Sequence, residues 1–170
     1  MTVTLVQLYD PAWPVWFRQI AAFIEPALAG VAHAIEHVGS TAVPGMVAKP
    51  IIDLDIVVTT EVFPAAKAGL ESLGYIHQKD LGIPKREAFK ETLDPIRLPP
   101  HHLYVCEADC YELQKHLVFR DFLRNHPEWV ERFSQHKMEL CVTHDNDRQA
   151  YMAGKSAMVE EITRLAMENM

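Results

Sequence analysis

Cysteine is scarce in this chain. Cys106, Cys110 and Cys141 are the whole supply, and no two of them form a CxxC pair. An odd, scattered set excludes a disulfide framework and a structural zinc site, leaving ordinary reduced thiols. Positive charge is short as well: 16 Lys and Arg stand against 23 Asp and Glu, a formal net charge of −7. Phosphate contacts dominate duplex binding, so this balance disfavours duplex nucleic acid as a partner while leaving room for a local basic pocket that takes a small phosphate compound. No apolar run approaches the roughly 20 residues needed to span a bilayer, and the opening residues lack a basic start followed by an apolar core. The expectation is a cytoplasmic protein with no membrane partner. Repeats, linkers and low-complexity stretches are missing too, and 170 residues at 49% hydrophobic content suit a single domain over 1–170.

What is present reads as strands interleaved with helices, then helices alone. Asp10 as N-cap and Pro11 as first helical residue open an amphipathic helix that stripes Trp13, Trp16, Phe17, Ile20, Ile24 and Leu28 and ends near Gly30. Strands are expected over 32–38 and 50–58, the second rich in β-branched residues, followed by a helix over 61–73 capped by Thr60 and closed by Gly74. A short strand follows at 75–77. Residues 79–100 carry Gly and Pro punctuation around an ambiguous strand at 86–92, which predicts a mobile hairpin or loop. The alternation over 101–107 puts Leu103 and Val105 on one side of a strand, His102 and Tyr104 on the other. Helices are expected over 111–125, from Pro127, and from about Asp147. The order predicts an α+β fold, a small mixed sheet flanked by helices with a C-terminal helical layer.

Asp53 and Asp55 stand two apart on the second strand and so project from one face, with apolar Ile52, Leu54 and Ile56 on the other. Such a pair is costly to bury without cations, and magnesium is the simplest compensation because it bridges carboxylates to substrate phosphates. The plainer reading is one Asp held by a neighbouring loop or Arg and the other at the wet end of the strand. Upstream, Gly39-Ser40-Thr41 follows a predicted strand and offers backbone amides and a hydroxyl to a phosphate. His37 either bonds loop carbonyls or contacts a ligand. Lys49 either meets a phosphate or pairs with an acid. Arg86, Arg120 and Lys155 are the other candidate cations for an anionic ligand, Arg120 with its stem packed among Leu117, Phe119 and Phe122; Lys115, His116 and Arg124 read as the exposed face of that helix. The His37 to Ser40 spacing fixes no nucleophile geometry, and hydrolase chemistry is set aside.

The Gly-Ser turn followed by a strand bearing DxD resembles the nucleotidyltransferase superfamily. The longer runs Tyr9-Asp10-Pro11-x-Trp13-Pro14, Glu36-His37-Val38-Gly39-Ser40-Thr41-Ala42-Val43-Pro44-Gly45, Lys49-Pro50-Ile51-Ile52-Asp53-Leu54-Asp55, His101-His102-Leu103 and Phe119-Arg120-Asp121-Phe122-Leu123-Arg124 closely resemble the GrpB family over nearly the whole chain. GrpB-like domains are similar to nucleotidyltransferases and also occur fused to dephospho-CoA kinases. The resemblance implies a nucleotidyltransferase-like fold in which Gly39 and Ser40 contact a nucleotide or CoA-related phosphate compound and Asp53 and Asp55 hold magnesium for nucleotidyl transfer from a nucleoside triphosphate. The sequence departs from that pattern at the third acid. The later strand offers His102 and Tyr104, the second at a position where the family commonly has another His. His102 brings manganese or zinc into view as the alternative metal, and the departure brings a second reading, a non-catalytic ligand-binding or regulatory domain with an incomplete metal triad.

Overall fold

The computed structural model describes residues 6–31, 33–92, 98–144 and 147–170. Five strands form one mixed sheet in the order β1 (Ala34–Val38), β2 (Ile52–Val58), β5 (His101–Glu107), β4 (Arg86–Glu91) and β3 (Tyr75–His77). Only the central pair, β2 with β5, is parallel; the other neighbours are antiparallel. The α+β expectation and the helical layer after β5 hold, with α3 (Tyr111–Asn125), α4 (Pro127–Thr143) and α5 (Arg148–Glu168) following in turn.

Two helices precede β3, and proline moves both starts downstream of the expected ones. α1 (Trp13–Ile24) opens with Pro14 in its first turn, where the missing N–H costs nothing. Asp10 makes a turn just before it, accepting from the Ala12 amide at 2.8 Å. α2 (Phe63–Ser72) likewise opens with Pro64, after a 3₁₀ turn at Thr60–Val62. Thr60 gives its hydroxyl to Glu107 Oε2 at 2.8 Å and caps nothing. The ambiguous strand over 86–92 is β4, paired with β5 and β3; residues 93–97 of the expected hairpin or loop lie outside the described residues.

The sheet has one oily and one chemical face because side chains alternate along each strand. Ile52, Leu54, Ile56 and Val58 of β2, with Leu103 and Val105 of β5, pack against Trp13, Ile20 and Ile24 of α1 and Ala66 and Leu70 of α2. Asp53, Asp55, His102, Tyr104 and Cys106 project from the opposite face towards the C-terminal helices. Those helices close a second core of their own around Phe119, Phe122, Leu123, Val130, Phe133 and Ile162, into which Val43 and Met46 insert from the loop after β1. That insertion ties the loop carrying Gly39 and Ser40 to α3, α4 and α5. No helix among the described residues is long and apolar enough to cross a membrane.

Candidate functional site: a cationic cleft beside a histidine-bound aspartate pair

β1 ends at Gly39, whose φ of +74° and ψ of −173° are accessible essentially to glycine alone. A Cβ there would collide with Asp53 Oδ2 and lie 3.3 Å from Asp53 Cγ. The turn therefore needs glycine twice over: for its backbone angles, and for the carboxylate that lies against it. A 3₁₀ turn, Ser40–Ala42, follows. His37 holds it from beneath, hydrogen-bonded through Nε2 to Thr41 Oγ1 at 2.9 Å and stacked on Phe17 at 4.8 Å. Burial, with the nearby Arg124 charge, pushes the His37 pKa down to about 4, so the ring is neutral and structural in character.

The register of β2 against β5 sets Asp53 beside His102 and Asp55 beside Tyr104. His102 Nδ1 donates to Asp53 Oδ1 at 2.9 Å, and that bond is the main reason the imidazole pKa is raised. Asp55 is fully buried, and His116 Nδ1 of α3 donates to its Oδ2 at 2.6 Å. Burial lowers the His116 pKa, but the Asp55 hydrogen bond and charge more than offset this and leave it raised. Each aspartate is thus answered by a histidine.

His116 is a correction to the sequence reading, which placed it on the exposed face of α3. The inward stripe of that helix runs Leu113, His116, Arg120, Leu123, at intervals of three, four and three, and the imidazole lies on it. The spacing was available, and Arg120 was read with its stem packed; the polarity of histidine concealed His116. Arg120 also turns inward but towards protein groups, donating to Glu36 Oε2 at 2.6 Å, Asp121 Oδ1 at 2.7 Å and the His37 carbonyl at 3.1 Å. Arg86 stacks its guanidinium 4.4 Å over the Tyr104 ring, its buried Nε without a partner.

An open cleft of about 320 Å³ lies in front of Asp53. From the predicted set it gathers Ser40, Thr41, Lys49, Asp53, His102 and Lys155; His37, Asp55, Arg86 and Arg120 lie outside its lining, and Gly39 stands behind Ser40. Lys137 and Arg148 complete the lining cations, and sequence reasoning passed over both. Lys137 falls on the buried stripe Val130, Phe133, Ser134, Lys137, Leu140 of α4, so a lysine at an apolar position was the available signal. Arg148, Tyr151 and Lys155 occupy positions i, i+3 and i+7 of α5, one face of a helix whose Asp147 cap accepts from the Ala150 amide at 2.9 Å.

Lys49, Lys137, Arg148 and Lys155 form no salt bridge among the described residues, although acids outnumber bases in the chain. Lys49 and Lys155 lie 5.0 and 5.8 Å over the Tyr151 ring. Burial first, and then the neighbouring cations, lower the pKa of Lys49, Lys137 and Lys155. Lys49, Arg148 and Lys155, cations without a salt bridge among the described residues, border one cavity with Lys137 buried beside them, an arrangement that favours an anion.

The donor set does not complete a two-metal centre, although Asp55 Oδ1 is left without a hydrogen-bond partner. Tyr104 stands where a third acid would face Asp55, His116 occupies Asp55 Oδ2, and His102 occupies Asp53 Oδ1. Among the described residues no group of three His, Cys, Asp or Glu side chains is arranged to hold a metal ion.

The sequence model of the GrpB protein family matches residues 2–165. The chain belongs to the GrpB family. It is 39% identical over 163 residues to a UPF0157 protein of Pseudomonas aeruginosa, covering 93% of this chain and 65% of that relative, so it spans a little under two thirds of the relative's length. The crystal structure of the conserved protein GrpB from Enterococcus faecalis superposes with a TM-score of 0.83 at 28% identity, covering 96% of this chain and 98% of that one. The Cid1 poly(U) polymerase with MgGTP bound superposes with a TM-score of 0.55 at 11% identity, over 81% of this chain and 43% of that one. At that identity the likeness is one of fold: the GrpB chain has a nucleotidyltransferase-like fold.

Proposed function

We propose that this GrpB-family protein binds a nucleotide or a CoA-related phosphate compound in the cleft between the Gly39-Ser40 turn, β2 and α5, without requiring a divalent metal. The observation that carries this reading is the convergence of Lys49, Arg148 and Lys155, which form no salt bridge among the described residues, beside a Gly-Ser turn in an acidic chain. Phosphate oxygens would take charge-assisted hydrogen bonds from these cations. The histidines on Asp53 and Asp55 support metal independence, since each already hydrogen-bonds one oxygen of its carboxylate. Calorimetric titration with nucleoside triphosphates and CoA precursors, with magnesium and with a chelator, tests it. Equal affinity in both buffers, with no product by mass spectrometry, is the expected result; binding seen only with magnesium contradicts it.

A second reading, metal-dependent nucleotidyl transfer to a small acceptor, has one observation in its favour. Asp55 Oδ1 is buried without a hydrogen-bond partner, an orphaned lone pair of the sort that a cation satisfies. Under that reading Asp53→Asn abolishes magnesium-dependent turnover in a folded protein. A variant of the same reading in which manganese or zinc binds through His102 predicts metal binding that is lost in His102→Ala.

A further inference from the structure

Ser40 has a partner that its sequence neighbours do not reveal. Lys137 Nζ lies 2.6 Å from Ser40 Oγ and 2.8 Å from the Val47 carbonyl oxygen. The lysine is 2% exposed and has no carboxylate partner among the described residues; the Phe133 ring covers it at 4.2 Å. The Val47 carbonyl is held in place by the next bond along, from the Val47 amide to Ser134 Oγ at 3.0 Å. Lys49, from the loop before β2, and Lys155 of α5 repel a charge on Lys137, while Asp53, His102, Arg148 and Tyr151 line the same cleft.

Lys137 Nζ donates to both Ser40 Oγ and the Val47 carbonyl; once deprotonated, it can keep the Val47 bond while its lone pair accepts the Ser40 hydroxyl proton. Burial, with Lys155 and Lys49 nearby, lowers the lysine pKa well below its ordinary range, which favours that state. A hydroxyl on a cleft wall, 2.6 Å from a buried amine that has no carboxylate partner among the described residues, meets the geometric requirement for a nucleophile with its own base.

We propose that Ser40 and Lys137 form a nucleophile–base dyad that cleaves an ester or thioester carrying a phosphate group. The Ser40 proton passes to the Lys137 amine as Oγ bonds to the carbonyl carbon. The bond from that carbon to the leaving oxygen or sulfur breaks, and the leaving atom takes the proton from the Lys137 ammonium. Water then attacks the acyl-serine, one of its protons returning through Lys137 to Ser40 Oγ, and a carboxylic acid departs. Lys49, Arg148 and Lys155 remain to hold the phosphate. Only this choice of an anionic acyl donor rests on the phosphate-binding reading; the dyad stands on its own contacts.

The test is labelling of the full chain with a fluorophosphonate, followed by peptide mass spectrometry, with no phosphate in the buffer. An adduct on Ser40 is expected, formed on the order of 100-fold more slowly in Lys137→Met and in Lys137→Arg, because removing a general base costs a factor of this size. In the wild-type protein, where no substitution can disturb the fold, the labelling rate should rise with pH through a midpoint below the ordinary lysine value of about 10.5. The absence of a Ser40 adduct overturns the dyad. So do equal rates in a folded Lys137 variant, or a wild-type rate that rises only above about pH 10.5. Protection of Ser40 by inorganic pyrophosphate is read separately and tests the phosphate site, so the two readings fail independently.

Discussion

Gly39 and His37 show how single residues hold the turn that the cleft depends on. Gly39→Ala adds a Cβ against the Asp53 carboxylate at a backbone conformation reserved for glycine, and should destabilise the fold by about 2 kcal/mol or more in denaturant unfolding. His37 makes the turn sensitive to acid. Its folded pKa of about 4 lies below the ordinary 6.5, so the unfolded chain binds the proton more readily and stability falls as pH drops from 6.5 towards 4. His102 and His116 have the opposite sign. Their raised values give stability that is complete below pH 6.5 and lost as pH rises through the folded pKa. Between pH 6.5 and 5 the loss therefore belongs to His37, about 2 kcal/mol by the size of its shift. Urea midpoints at the two pH values should show it, and His37→Gln should flatten that limb; an unchanged slope in the variant contradicts the assignment.

At the scale of elements, β2 and β5 were legible because alternation is a local property. Asp53, Asp55, His102 and Tyr104 share a face in the sequence pattern and in the sheet alike. Helix starts were less legible. Pro14 and Pro64 each permit a later first turn than the Asp10 and Thr60 signals indicate, and the tertiary bond from Thr60 to Glu107 removes a cap that the local sequence offers. The partners of Asp55 and of Ser40 were least legible, since His116 and Lys137 reach the site from helices distant in the chain, and charge on a helix reads as a solvated face. α5 carries the sharpest prediction at this scale. Arg148→Ala and Lys155→Ala should each weaken phosphate-compound binding about tenfold, the worth of one charge-assisted contact. Thermal melting should be nearly unchanged, because neither residue forms a salt bridge among the described residues. Calorimetry beside a melting curve checks both halves.

For the whole molecule, the distribution of charge matters more than its sum. A chain of net charge −7 concentrates Lys49, Arg148 and Lys155 around one cavity, so distant acids repel an anionic ligand that the cleft attracts. Affinity should accordingly fall as salt rises, and the fall should be shallower in the Arg148→Ala, Lys155→Ala double variant. The nucleotidyltransferase-like fold positions this cleft through the parallel β2 and β5 pair and the loop pinned by Val43 and Met46. On that pair, His102 bonds Asp53 and His116 reaches Asp55 from α3. The most direct measurement is calorimetric titration of a nucleoside triphosphate into the wild-type protein and the double variant, each with a chelator and with magnesium. Binding by the wild type that is indifferent to magnesium and falls about a hundredfold in the double variant is the predicted result. Binding that requires magnesium, disappears in Asp53→Asn and survives in the double variant would contradict the account.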